Sequence, residues 1–365
     1  QPTSGGMRMR RERNERARRA AGIALAVALT ATAAGCGSAA QTPVSETWDD
    51  LFGTVVTVSL YDKMSEKEAG AVLAAIRARG EVIQNTMTAH SPGSEIGAVR
   101  AAGGQTPVPV SEDTYGLLTL ALEVAALSGG AFDPTVEPLV ALWGIGTETA
   151  AVPAEADIAR ARALVDYRRV TLDGAGRTAY LPETGMGLDL GGIAKGYAAD
   201  EANRLLDEAD VAHAILDFGG NVVLRGGHPE GKPWRVGIRK PVLGEDGYAC
   251  VVSLRDGAVV TSGGYERYFV AADGAVYHHI MDPATGRPAE TGLLSATIVC
   301  DNSTRADALS TACFVLGLDG ALALLDALDG VEGVLIASDR TIHTTPGLAD
   351  VFAVADERYV WVNAP

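Results

Sequence analysis

Four short stretches hold the residue types that could do chemistry together. The first is "LDLGGIAKGYAADEA", residues 188–202. Its paired glycines allow backbone to approach a ligand or a neighbouring strand closely, and the helix start after them offers free N–H groups and a positive dipole end. Lys195 adds a mobile cation. This is either a phosphate-handling loop or a packed turn with a solvated lysine. It is not a standard nucleotide motif: the lysine falls between Ala194 and Gly196, so the Walker pattern fails, and in "GMGLDLGG" the third glycine comes one place late for a dinucleotide fingerprint.

The second stretch is "STRADALSTACF". Asp307 and Thr311 are four apart, so a helix places both oxygens on one face, with Ser310 on a neighbouring one. A carboxylate, a hydroxyl and a backbone carbonyl make a hard-oxygen set suited to Mg2+. The plainer alternative is helix capping by Ser303 or Thr304, with Asp307 in the first turns. The remaining stretches, "GGAFDPTVEPL" and "HHIMDPATGRP", each contain an Asp-Pro turn signal. His278 and His279 precede the second, and a histidine at a strand end beside such a loop is an acid/base candidate.

These stretches must be positioned by a folded domain. The chain has 365 residues, 47% hydrophobic and 21% charged, enough for a sizeable core. Its formal charge of −16 argues against a generic nucleic-acid binder. Amphipathic spacing predicts helices over "SEKEAGAVLAAIRARGEVIQNTM", capped by Ser65 with Glu68, over "SEDTYGLLTLALEVAALSGG", capped by Ser111, over "PAEADIARARALVDY", and from Gly192 to Asp207. "LFGTVVTVSLYD" reads as the first strand. From residue 213 on, strands and hairpins dominate, interrupted by one or two helices in "TRADALSTACFVLGLDGALALLDAL". Strands in runs with helices grouped between them predict an α+β fold with a mainly antiparallel sheet.

The N-terminal stretch reads differently. Residues 8–19 hold seven Arg and two Glu, followed by a short apolar run and "AAGC" ending at Cys36. This pattern is an export signal, and "AAGC" resembles the bacterial lipoprotein signal, although Ala33 stands where leucine is preferred. The expected organisation is a leader with lipoprotein-type signal over 1–36, a flexible tether over 37–46 and one catalytic domain over 47–365. Loss of residues 1–35 takes the charge to −21. The other cysteines, Cys250, Cys300 and Cys313, sit in apolar contexts and suggest neither a disulfide framework nor a zinc site.

Together, and in this order, the motifs resemble the FAD:protein FMN transferases, the ApbE flavin transferases. The matching blocks are "SPGSEIGAVR", "GGAFDPTVEPLVALWGIG", "LDLGGIAKGYAADEA", "LDFGGNVVLRG", "WRVGIRKP", "VVTSGGYERYF", "YHHIMDPATGRP" and "ADALSTACFVLG". The resemblance implies the ApbE-like fold, FAD as substrate and Mg2+ as cofactor. It implies transfer of FMN to a Thr or Ser hydroxyl of a partner protein, with AMP leaving. Partners would be flavin-carrying subunits of membrane redox complexes, met by an exported, lipid-tethered enzyme on the extracytoplasmic face.

By resemblance Asp307, Thr311 and the Gly192 carbonyl are the metal ligands. Ser310 stands where some relatives have a second aspartate. Ala131, Phe132, Asp133, Asp189, Lys195 and Ile280 match flavin-nucleotide contacts, and Phe52 would cover another side of the ligand. His279 matches the histidine before the "DPxTG" turn and is the expected base, with Asp307 the second candidate. Many relatives have an aromatic residue in "M-S-x-Y"; here "MTAHSPGSE" puts His90 there. Competing expectations are hydrolysis of FAD to FMN and AMP at the same site, an FAD-carrying lipoprotein without chemistry, and a solute-binding lipoprotein with two parallel-sheet lobes.

Overall fold

A computed structural model describes residues 42–89 and 91–362. The leader, the first half of the tether and His90 lie outside the described residues. The framework is a nine-stranded sheet: β1 (Val44–Leu51), β2 (Thr54–Leu60), β3 (Ala214–Phe218), β4 (Asn221–Arg225), β5 (Gly257–Gly263), β6 (Leu293–Cys300), β7 (Glu332–Ala337), β8 (Thr341–Thr344) and β9 (Val360–Trp361). Spatial order follows chain order. Every neighbouring pair is antiparallel except the last, β8 with β9. Among the described residues there are seven α-helices: α1 (Glu66–Met87), α2 (Glu95–Ala101), α3 (Glu112–Leu127), α4 (Glu137–Trp143), α5 (Glu155–Arg162), α6 (Ala194–Glu208) and α7 (Ser303–Asp326). The expected α+β architecture with a mainly antiparallel sheet is what the chain forms.

The sheet strands are apolar on both faces because both are covered, and their residues alternate between two cores. Leu216, Phe218, Val223, Val260, Ala296, Ile298 and Leu335 join the core beneath the helices. Ile215, Val222, Leu224, Val259, Val299, Val334 and Ile336 point the other way, onto a three-stranded sheet made of Trp234–Arg239, Tyr248–Leu254 and Phe352–Val354. We call the first the helix face and the second the back face. Helix α7 is long and apolar enough to cross a membrane by length and composition, but here it is a core helix lying on β5 and β6. Gly317, at φ 72° and ψ −178°, breaks it.

The helix starts follow their caps. Ser65 and Glu68 form the expected capping box of α1, and Ser111 caps α3. Helix α7 is capped by Asn302, whose side chain accepts from Arg305 N at 2.7 Å, rather than by Ser303 or Thr304. Two further differences concern the N-terminal edge. The first strand starts at Val44, inside the stretch read as tether. Residues 44–51 form an edge strand with mostly exposed side chains, so its pattern lacks the alternation that betrays a strand. It is held by pairs such as Ser45 with Ser59 and Thr47 with Thr57. Phe52 is therefore not within a strand. With Gly53 it forms the two-residue β1–β2 turn, both at positive φ (53° and 62°).

Candidate active site

The centre of the site is the junction of α6 and α7. Asp307 lies one turn into α7 and is 2% exposed. Its carboxylate accepts from Lys195 Nζ at 3.1 and 3.3 Å and from Gly196 N at 3.0 Å. Lys195 Nζ also donates to Gly191 O at 3.3 Å. The two helices can approach this closely because residue 196 is glycine. A Cβ there would lie 2.2 Å from Ser303 O. Asp200, one turn further along α6, accepts from Ser303 N at 2.9 Å, Thr304 N at 2.8 Å and Thr304 Oγ1 at 2.5 Å. It satisfies the free N–H groups at the start of α7 and fixes the register in which Lys195 meets Asp307. Burial pushes the Asp200 pKa up, against these hydrogen bonds.

Beside Asp307 is a group of hydroxyls. Ser310 Oγ donates to Asp307 O at 2.8 Å and lies 2.8 Å from Ser262 Oγ on β5. Thr311 Oγ1 lies 3.3 Å from Ser262 Oγ and 3.4 Å from Asp307 O. Gly192 closes this side: a Cβ on it would lie 3.3 Å from both Thr311 Oγ1 and Phe132 Cε2. Loop, helix α7 and the Phe132 ring are thus in contact at one point.

Each Asp-Pro turn is built from within. The Asp133 carboxylate is buried and accepts from Thr135 N at 2.8 Å, Thr135 Oγ1 at 2.6 Å and Tyr167 N at 3.0 Å. Desolvation raises its pKa. These bonds shape the turn that presents Ala131 and Phe132, so Asp133 acts on the site through its neighbours and not as a side chain offered to a ligand. The Pro134 carbonyl in the same turn accepts from Asp189 N at 2.8 Å, while Asp189 Oδ1 accepts from Gly191 N at 2.7 Å. Asp189 therefore ties the glycine loop to the "FDP" turn. The second turn is anchored by Trp143 Nε1, which donates to Gly286 O at 2.9 Å. Gly286 has φ 74°, and a Cβ on it would lie 2.8 Å from Ile158 Cγ2.

His279 directly follows a two-stranded ribbon, Tyr268–Val270 with Val276–His278. Its Nδ1 lies 3.2 Å from Arg267 O. A carbonyl can only accept, so Nδ1 carries the proton and the lone pair is on Nε2. Desolvation, and then the Arg267 charge, push the His279 pKa down to about 3, with a smaller contribution from Lys195. Its imidazole is thus held neutral, in the field of Lys195. The Arg267 guanidinium donates to Phe52 O and Gly53 O, each at 3.2 Å. Phe52 N donates to Gln84 Oε1, and its ring lies 6.2 Å from that of Phe218. Arg267 links the Phe52 turn to the His279 ribbon. His278 is turned away, its Nε2 2.9 Å from Ala289 O and its ring edge-on to Phe314.

Of the residues singled out from the sequence, the structure groups Phe132, Gly192, Lys195, Asp307 and Thr311 in direct contact. His279 approaches through the field of Lys195, and Phe52 through Arg267. Ile280 is 5% exposed and its side chain belongs to the helix-face core. Sequence reasoning missed the roles of Gly196, Asp200, Ser262 and Arg267. Signals were present in "AKGYAAD" and "VTSGGYER", but each of these residues acts through a long-range contact that spacing does not encode. Among the described residues the three cysteines are free and buried, with pKa values pushed up by burial, to about 11 for Cys300 and about 12 for Cys313.

A largely antiparallel sheet covered by helices, with a buried carboxylate and a lysine beside a glycine loop at a helix junction, defines the class of fold and site. The chain belongs to the ApbE family, whose pattern matches residues 52–335. It is 39% identical over 338 residues to the FAD:protein FMN transferase of Treponema pallidum, covering 89% of this chain and 93% of that protein. The FAD:protein FMN transferase of Klebsiella pneumoniae is 33% identical over 292 residues, with 80% and 89% covered. Among solved structures, the ApbE protein of Thermotoga maritima superposes with a TM-score of 0.77 at 32% identity, over 84% of this chain and 98% of that one. The flavin transferase ApbE of Vibrio cholerae gives 0.75 at 25% identity, over 85% and 99%.

Proposed function

We propose that this protein is an FAD:protein FMN transferase. It would move FMN from FAD to a Thr or Ser hydroxyl of a partner flavoprotein, in a reaction that depends on Mg2+ and releases AMP. The observation that carries the reading is the buried Asp307 carboxylate facing Lys195 beside the glycine loop, with Thr311 one helical turn on, in a chain of the ApbE family. The donor set suits Mg2+. Asp307, Thr311 and the Gly192 carbonyl are all hard oxygens, and the Lys195 ammonium already sits within 3.3 Å of both Asp307 carboxylate oxygens. Among the described residues no three His, Cys, Asp or Glu side chains gather at one point. A site with one carboxylate fits a cation that takes its remaining ligands from substrate phosphates and water. Bound there, Mg2+ would offset the charge of the pyrophosphate.

The chain's own groups supply the rest. Lys195 offers a second positive charge to the phosphates and keeps the loop closed on Asp307. Gly192, which has no side chain, leaves its backbone open to the dinucleotide beside the Phe132 ring. His279 Nε2 accepts the proton of the acceptor hydroxyl as its oxygen bonds to the FMN phosphorus. The bond from that phosphorus to the AMP oxygen breaks, and AMP leaves. Asp307 is the poorer base, since its oxygens are engaged by Lys195 and Gly196. The acceptors are taken to be flavin-carrying subunits of membrane redox complexes. Residues 8–36 support export and lipid anchoring at Cys36, which would place the enzyme on the extracytoplasmic face beside them. Incubation with FAD, Mg2+ and a flavin-accepting domain tests the reading by mass. An added FMN on the acceptor supports it. FMN and AMP without that addition indicate hydrolysis, and unchanged bound FAD indicates a carrier.

A further inference from the structure

Four hydrogen-bonding groups link β5 to α7, and their donor directions can be worked out. The Asp307 carbonyl can only accept, so the bond from Ser310 Oγ at 2.8 Å uses the single Ser310 proton. The contact between Ser310 Oγ and Ser262 Oγ at 2.8 Å must then be donated by Ser262. That uses the Ser262 proton, so the remaining Ser262 contact, to Thr311 Oγ1 at 3.3 Å, is donated by Thr311. The chain runs Thr311 to Ser262 to Ser310 to the Asp307 carbonyl. The second acceptor open to the Thr311 proton, Asp307 O at 3.4 Å, lies within the helix as well. Ser310 is fully buried, and β5 is fixed in the middle of the sheet, so the chain is anchored at both ends.

We infer that Ser262 and Ser310 are positioning residues that turn the Thr311 hydroxyl proton inward, leaving its lone pairs free to serve as a cation ligand beside Asp307. This rests on the metal reading of the site proposed above. A threonine hydroxyl is a weak, freely rotating ligand, and one that points its proton at a cation repels it. Fixing the rotor before the cation arrives removes that unfavourable state, as partners of metal ligands commonly do. The same logic gives Ser310 a use as a proton donor to the helix carbonyl, and hence as the end of the chain, not as a ligand.

Free Mn2+ can be counted by electron paramagnetic resonance while it is titrated into the full chain with FAD present. The wild type, Ser262→Ala, Ser262→Thr and Asp307→Ala are compared. Ser262→Ala should bind Mn2+ roughly tenfold more weakly, and Ser262→Thr should restore most of the affinity. Wild-type affinity in Ser262→Ala, with Asp307→Ala clearly weaker, would overturn this inference alone. A wild type no better than Asp307→Ala would overturn the metal reading and this inference with it.

Discussion

A buried carboxylate lies against each face of the sheet, and the two are treated oppositely. Asp307 meets the helix face and is matched by a cation, Lys195, and by a backbone N–H. Asp217 points to the back face from β3, between Ile215 of the same strand and its cross-strand partner Val222. Its carboxylate accepts from Gly220 N at 3.0 Å, caps the Gly219–Gly220 turn, and feels the Glu266 charge rather than that of a cation. Desolvation pushes its pKa up to about 6. The neighbouring hydroxyls on β5 divide the same way. Thr261 pairs with Thr297 at 2.8 Å on the back face, and Ser262 pairs with Ser310 at 2.8 Å on the helix face. Burial of polar groups alone therefore does not mark a site. What separates the faces is a positive charge and a loop of glycines placed against one of them.

The largest test of this contrast is on the helix face. His279→Asn should lower transfer by about 10²–10³ while FAD still binds, because an amide cannot take the acceptor proton. Full activity in that variant would remove His279 as the base. The wild type should also show an unusual acid limb. An ordinary histidine is mostly protonated at pH 5.5, but one lowered to about 3 stays neutral there. Protonation of His279 should thus cause no loss of kcat/KM between pH 8 and 5.5, and a fall centred near 6.5 would refute the lowered value.

Next in size is the helix junction. Gly196→Ala drives a methyl group into the Ser303 backbone and should cost about 2–3 kcal/mol in urea unfolding. It should also weaken transfer by moving Lys195 from Asp307. Gly116, in α3, has nothing within 4 Å of an added Cβ. Gly116→Ala should be neutral or stabilising by up to about 1 kcal/mol. Equal effects at the two positions would show that the junction is less tightly fitted than its distances say.

This pair also shows what a sequence reader can and cannot see. Helix starts at Ser65 and Ser111, the alternation of β5 and the broken α7 follow from local rules, and so did the antiparallel architecture. Asp307 and Thr311 announced themselves by a four-residue spacing, and Lys195 by its glycines. Gly196 looked like any other glycine, because its reason lies more than a hundred residues away at Ser303. Asp133 read as a ligand contact, yet its oxygens are taken by Thr135 and Tyr167. Val44–Leu51 was hidden because an exposed edge strand needs no apolar alternation. Where a residue's partner is local, the sequence carries the reason; where it is distant, only the type survives.

On the back face the sign of the effect should reverse. The folded pKa of Asp217 lies near 6, above the ordinary 3.8, so the folded state holds its proton more tightly than the unfolded chain. The stability this contributes is present below about pH 4 and is lost as pH rises through 6. Asp217→Asn keeps an oxygen for Gly220 N and never ionises. Its stability relative to the wild type should rise by about 2 kcal/mol from pH 4 to pH 8. A difference that stays flat with pH would mean that Asp217 ionises freely where it stands.

The smallest effect is expected one residue from the most informative serine. Thr261→Val leaves Thr297 Oγ1 without its partner at 2.8 Å, but adds a methyl group of nearly the same volume in an apolar layer. Loss of one buried hydrogen bond costs about 1 kcal/mol, and the added apolar surface offsets part of it. Unfolding stability should therefore fall by roughly 0.5–1 kcal/mol. Mn2+ affinity and transfer should not change, because the hydroxyl of residue 261 points away from α7. If Thr261→Val weakened Mn2+ binding as Ser262→Ala is expected to, strand β5 would be transmitting strain as a whole, and the division of labour between its two faces would have to be abandoned.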